Sequence, residues 1–202
     1  MKVLVACEFS GIVRDAFKAK GHDAWSCDLL PTERPGQHIQ GDVLDVLDNK
    51  WDVMIAHPPC TYLSYAATRS WGDKGRLKKR LDALEFFGQL WEAPIDKICI
   101  ENPKGCASPT IAKYSQEIQP FYFGDRKQKA TWLWLKNLPM LIHSQRDNLF
   151  GDKKTHVEKP EPSYIKPDGT PRFFTSGINK NRAHNRSRFF QGIADGMAEQ
   201  WG

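Results

Sequence analysis

The chain of 202 residues is 40% hydrophobic and 26% charged, enough apolar material for one substantial core and too much for overall disorder. No apolar run approaches the ~20 residues needed to cross a bilayer. The start, MKVLVACEFS, also lacks the apolar stretch and cleavage site of a secretory signal, so a cytoplasmic protein that engages no membrane is expected. The net charge of +5 is uneven: residues 1–120 carry 15 basic and 16 acidic side chains, residues 121–188 carry 14 and 6, and an acidic partner therefore meets one localised basic segment.

In chain order, KVLVAC (2–7), AWSCD (24–28), DVMIAH (52–57) and KICIE (97–101) read as buried parallel strands, with crossover helices between them. The clearest helix spans 76–92, where Leu77, Leu81, Leu84, Phe87 and Trp91 recur at steps of three and four. Ser108-Pro109 suits an N-cap and first-turn proline, predicting a helix to about residue 118. PFYFG (120–124) and TWLWLK (131–136) read as further strands. From 140 to 186 the chain is rich in Pro, Gly, Asn, Lys and Arg without a sustained period, which predicts loops or short irregular hairpins. A final helix is expected from Ser187, with Phe190, Ile193, Met197 and Trp201 on one face. The alternation specifies an open α/β sheet whose ligands sit at the carboxyl ends of its strands.

The polar residues of interest fall at those ends. Glu8-Phe9-Ser10-Gly11 follows the first strand and Asp28 ends the second. A glycine at such a turn admits a ligand to the backbone, and an acid about 20 residues on can accept from ribose hydroxyls; a plain turn and a solvated acid would look the same. Gly41-Asp42-Val43 precedes the third long strand, which ends in His57-Pro58-Pro59-Cys60 and continues to Ser64. Two prolines stiffen the loop carrying Cys60, a thiol suited to nucleophilic attack or, alternatively, a small apolar residue beside a turn. The remaining cysteines form no CxxC pair, which argues against a disulfide framework or a structural zinc site; Cys7, Cys27 and Cys99 read as core thiols within strands. Glu101-Asn102-Pro103 closes the fourth strand. A carboxyl buried there would have its charged form disfavoured, could stay protonated near neutral pH and could act as an acid, unless it caps a helix or lies on the surface.

In this order the pieces resemble the cytosine-C5 DNA methyltransferase family: Ser10-Gly11, Asp28, Gly41-Asp42-Val43, Pro58-Pro59-Cys60 with Ser64, and Glu101-Asn102-Pro103, followed by Phe123-Gly124, Lys129 and Thr131, and by Gly192-Ile193-Ala194 in the last helix. The first turn keeps one of the family's several glycines, Lys129 and Thr131 stand where it has arginines, and Asn-Pro replaces Asn-Val. No large target-recognition domain is present. The resemblance implies a Rossmann-like methyltransferase sheet with helices on both faces, formed by 1–139 and 187–202, and a small basic insertion, 140–186. It implies S-adenosylmethionine as cofactor and no metal, with Phe9, Ser10, Gly11, Asp28, Leu29, Asp42, Val43 and Pro58 at the cofactor. Cys60 would add to carbon 6 of the base, Glu101 would donate to ring nitrogen 3, and Pro59, Lys129 and Thr131 would complete the catalytic site.

A base in duplex DNA must be flipped out to reach Cys60. Ser64, Lys153, Lys154, Arg182, Arg186 and Arg188 are then candidates for contact with the nucleic acid, with Phe173 or Phe174 as stacking faces; alternatively, the lysines only keep an irregular insertion soluble. DNA is the expected partner. A free cytosine nucleotide such as dCMP, or a catalytically silent nucleic-acid-binding relative, are the alternatives.

Overall fold

A computed structural model describes residues 1–147, 154–173 and 188–202. Its centre is a sheet of seven strands: β1 (Lys2–Ala6), β2 (Asp23–Asp28), β3 (His38–Gln40), β4 (Val53–Ala56), β5 (Lys97–Asn102), β6 (Gln116–Ile118) and β7 (Thr131–Lys136). They lie in the order β3-β2-β1-β4-β5-β7-β6. All pairings are parallel except those of β7, which runs antiparallel to both β5 and β6. A long hydrophobic run is what a strand covered on both faces requires, and Val3, Leu4, Val5 and Ala6 are all fully buried.

Alternation along the strands sends side chains to two cores. Leu4, Met54, Ile98 and Trp134 face Leu84, Phe87 and Leu90 of α2 (Arg76–Trp91). Val3, Val5, Val53, Ile55 and Leu133 face Val13 and Phe17 of α1 (Ile12–Ala19), together with Ile193, Met197 and Trp201 of α4 (Gln191–Trp201). The result is an open, doubly wound, Rossmann-like α/β sheet with helices on both faces. Strand order reverses between β1 and β4, the place where such sheets open a crevice.

The structure departs from the sequence pattern in four places. The helix expected to reach residue 118 is one turn, α3 (Ala107–Thr110), and the chain then extends to pair β6 with β7. Its N-cap position is Cys106, while Ser108 lies inside the turn and accepts from the Tyr114 N–H. Residues 120–124 form a 3-10 turn instead of a strand, started by Pro120 and stopped by the left-handed Gly124. Along α2, Leu77 and Leu81 are exposed, because only the second half of the helix reaches the sheet.

The start of the basic insertion is anchored to that 3-10 turn. Val157 N–H donates to the Phe121 carbonyl, and Tyr122 stacks on both His143 and His156, which share a 2.8 Å hydrogen bond. A short hairpin, β8 (Tyr164–Ile165) with β9 (Pro171–Arg172), follows.

Candidate active site

The carboxyl ends of β1 to β5 gather the candidate residues along one edge. After β1 the chain enters the left-handed region at Cys7, an uncommon conformation for a side-chain-bearing residue, then turns into α1 through Gly11, at φ 72. Glu8 is buried beneath this turn. Its carboxylate accepts from the N–H groups of Val13 (2.7 Å) and Arg14 (3.2 Å), neutralising the start of α1, and from the Ser10 hydroxyl (3.1 Å). Ser10 is thus turned inward, with its own oxygen also accepting from Ile12 N–H. What it can offer a ligand is backbone.

Asp28 and Asp42 stand at the next two strand ends. One Asp28 oxygen accepts from Leu30 N–H, and Asp42 caps a 3-10 turn through Leu44 N–H. Both carboxylates act on the Cys7 thiol, whose acidity burial, Asp28, Cys27 and Asp42 together suppress. Burial and the same two aspartates push Cys27 up to about 11. Phe9 and Val43 are buried beside this edge, and Leu29 is exposed.

The loop from Leu29 to Gly36 is held from below by Arg14, a fully buried cation on α1. Its guanidinium donates to Ser26 and Thr32 hydroxyls and to the carbonyls of Arg34 and Pro35, and pairs with Asp15 at 2.8 Å. Phe9 carbonyl accepts from Glu33 N–H, joining the loop to the first turn.

One strand further on, Pro58 is buried while Pro59 and Cys60 are exposed. The Cys60 carbonyl accepts from Leu63 and Ser64 N–H, folding the loop back on itself. That loop is laced to the segment after β5: Cys106 N–H donates to Leu63, Tyr65 N–H to Lys104, and Asn102 Nδ2 to the Pro58 carbonyl at 2.8 Å. A side chain at Gly105 would collide with the Leu63 carbonyl oxygen, so this approach needs glycine. Arg76 of α2 donates to the Thr61 carbonyl, and Arg80 lies 3.9 Å over Trp71, which places Trp71 in loop packing. The thiol is exposed, on a braced loop.

Glu101 is the penultimate residue of β5, next to β4 through the Ala56–Ile100 pair. Its Oε2 meets His57 Nδ1 at 3.3 Å, and its side chain is 10% exposed. Burial pushes the carboxyl up, but Lys129 and His57 together outweigh it, so Glu101 sits below its ordinary value. Where burial alone favours the protonated acid, Lys129 and His57 tip the balance toward the carboxylate. Lys129 is placed to do this by its N–H, which donates to the Gln119 side chain, and its ammonium lies 5.7 Å over Phe190. Thr131 is buried, and its hydroxyl donates to the Lys129 carbonyl, so it shapes that turn.

Ser64 is nearly buried and caps a 3-10 turn by accepting from Ala66 N–H, a bracing role instead of an exposed contact. Lys154 is exposed and lines a shallow cavity of about 520 Å³ with Phe121, Tyr122, His156 and Lys159. Arg188 is committed to Glu33 at 2.7 Å, tying the return of the chain to the Leu29–Gly36 loop. Lys153, Arg182, Arg186 and Phe174 lie outside the described residues. Among the described residues no cluster of three or more His, Cys, Asp or Glu is placed to hold a metal.

Sequence reasoning gave no role to Glu8, Arg14 or His57. His57 carried a signal, a histidine directly before Pro-Pro-Cys; apart from the adjacent Asp15, the partners of Arg14 lie 12 to 21 residues away and carried none.

Comparison with protein-family models finds no match, and neither does comparison with curated protein sequences. Among solved structures, the chain is similar to a prophage-encoded protein of E. coli provisionally assigned as a DNA modification methyltransferase, at 12% identity and a TM-score of 0.42. The match covers 66% of this chain and 45% of that one, so the chain spans less than half the length of that protein.

Proposed function

We propose that this chain is an S-adenosylmethionine-dependent methyltransferase that modifies carbon 5 of cytosine in DNA through a covalent Cys60 adduct. One observation carries the reading: an exposed thiol on a proline-stiffened, hydrogen-bonded loop stands one strand from a buried carboxyl group that is bonded to His57 and lies in the field of Lys129. Carbon 5 of cytosine is a poor nucleophile, and this pair of groups is what its activation needs.

The donor chemistry at the strand-order reversal fits the cofactor. Asp28 would accept from ribose hydroxyls, Asp42 would take the adenine side, and the Phe9-Ser10-Gly11 turn would hold the amino-acid end, with Leu29, Val43 and Pro58 as apolar walls. When bound, S-adenosylmethionine supplies an electrophilic methyl group.

The protein's own residues do the rest. The Cys60 thiolate gives its electron pair to carbon 6, and the carbon 5–carbon 6 pair moves toward carbon 5, which becomes nucleophilic. Glu101, entering as a carboxylate, pairs with ring nitrogen 3 after that nitrogen takes a proton from solvent, and so stabilises the electron-rich ring. Once carbon 5 is methylated, its proton leaves to water, the electron pair restores the double bond, the carbon 6–sulfur bond breaks to return the thiolate, and ring nitrogen 3 gives its proton back to solvent. Lys129 keeps Glu101 ionised throughout. Pro59 fixes the approach of the thiol by stiffening its loop.

DNA is favoured over a free nucleotide by the excess of 14 basic over 6 acidic side chains in residues 121–188. A duplex carrying 5-fluorocytosine tests the reading, because the fluorine cannot leave as the carbon-5 proton does. Intact-protein mass spectrometry with S-adenosylmethionine should then show a trapped adduct on the Cys60 peptide. An unmodified Cys60, in a protein that methylates or not, would refute it.

A further inference from the structure

The His57–Glu101 couple carries unpartnered polar atoms on both members. Oε2 of Glu101 is taken by His57 Nδ1, while Glu101 Oε1 and His57 Nε2 are buried with no hydrogen-bond partner among the described residues. Asn102 Oδ1, on the next residue of β5, is also unpartnered among the described residues, its amide nitrogen being spent on Pro58. Buried polar atoms are almost always paired, so three such atoms at one pair of strand ends point to a ligand with hydrogen-bonding groups of its own. The imidazole is fixed from its other side: the Phe189 ring centroid lies 4.4 Å away, and the side chain is 9% exposed.

A carboxylate only accepts hydrogen bonds, so Nδ1 must carry the proton of the His57–Glu101 contact. Oε1, the free oxygen of the same carboxylate, can likewise only accept, so a matching ligand donates to it. Cytosine protonated at nitrogen 3 does so through N3–H.

We infer that His57 is a positioning residue for Glu101, holding Oε2 through Nδ1–H so that Oε1 is presented to N3–H of the base. This rests on the reading that the chain methylates cytosine. The role belongs to the histidine before Pro-Pro-Cys and acts through Glu101, leaving the thiol chemistry to Cys60.

Three variants separate positioning from mere packing. H57A removes both the donor and the ring, H57L restores apolar volume against Phe189 without a donor, and H57N keeps a donor near the position of Nδ1. Each would be assayed for methyl transfer to cytosine in duplex DNA, for cofactor affinity by calorimetry and for thermal unfolding. H57A and H57L should both lose kcat by roughly ten- to a hundredfold, the range carried by an orienting partner, with cofactor affinity within about twofold of the parent. H57L should regain stability over H57A without regaining kcat, and H57N should recover most of it. Wild-type kcat in H57A, or equal recovery by H57L and H57N, would overturn the inference while leaving the methyltransferase reading intact. A wild-type protein that transfers no methyl group to cytosine would remove that reading and the inference with it.

Discussion

The guanidinium of Arg14 occupies the space that a side chain at Gly36 would need: a Cβ there would lie 2.7 Å from Arg14 Cζ and 2.8 Å from Nη2. Gly11 is in the same position, 2.5 Å from Nη2. The loop following Asp28 and the turn following β1 thus close on one buried cation. Gly36→Ala should destabilise the protein by about 1–3 kcal/mol in denaturant unfolding, as overpacking does. In an Arg14→Ala background the space is open, so the two substitutions should be less than additive by about 0.5–3 kcal/mol. Strict additivity would show that Arg14 does not fill that space.

Asp28 has two separable functions in this account. Its oxygen caps the turn at Leu30, and its charge is offered to a ribose. Asp28→Asn keeps an acceptor for the turn and loses the charge, so calorimetry should show cofactor binding weaker by about 1.5–3 kcal/mol with little change in melting temperature. Unchanged affinity would take Asp28 out of the cofactor site.

Glu101 makes a pH prediction with a definite sign. Its folded carboxyl lies below the ordinary value of 4.5, so the folded state binds that proton less readily than the unfolded one. The stability it contributes is complete above pH 4.5 and is lost as pH falls below that value, through the folded one. Lys129→Met removes a cause of the depression and should move the loss of melting temperature to higher pH. Glu101→Gln should flatten this acid limb. Identical acid limbs in all three proteins, followed by circular dichroism, would contradict the pairing.

Contact with DNA through the insertion predicts steep salt dependence, with a log–log slope of about −0.9 per phosphate neutralised on duplex DNA. Charge reversal at Lys154, exposed at the mouth of its cavity, should make the slope shallower. Arg188, paired to Glu33, should matter less to the slope and more to the Leu29–Gly36 loop. Robust turnover of dCMP with salt-insensitive binding would favour a mononucleotide substrate.

Five of the seven sheet strands were legible because each carries a short stretch of mainly apolar residues. β3, with sequence HIQ, and β6, with sequence QEI, were not: three residues at or near a sheet edge carry no pattern, and only pairing with a neighbour makes them strands. Helix α2 was legible as a helix but not in its buried face. Arg76 and Arg80 engage the loop of Cys60, so the first half of the helix stands away from the sheet. Strand ends placed Asp28, Cys60 and Glu101 on one edge from sequence alone. The ionisation of Glu101 could not be read that way, because it depends on His57, 44 residues earlier, and on Lys129, brought in by the antiparallel return of β7.

The most direct measurement is tritium release from duplex DNA labelled at carbon 5 of cytosine, comparing the wild-type protein with Cys60→Ala in the presence of S-adenosylmethionine. Wild type should release tritium as methyl groups are incorporated, and Cys60→Ala should release none while binding the cofactor as tightly as before. Tritium release by Cys60→Ala at the wild-type rate, or none from the wild type on any cytosine substrate, would contradict the account.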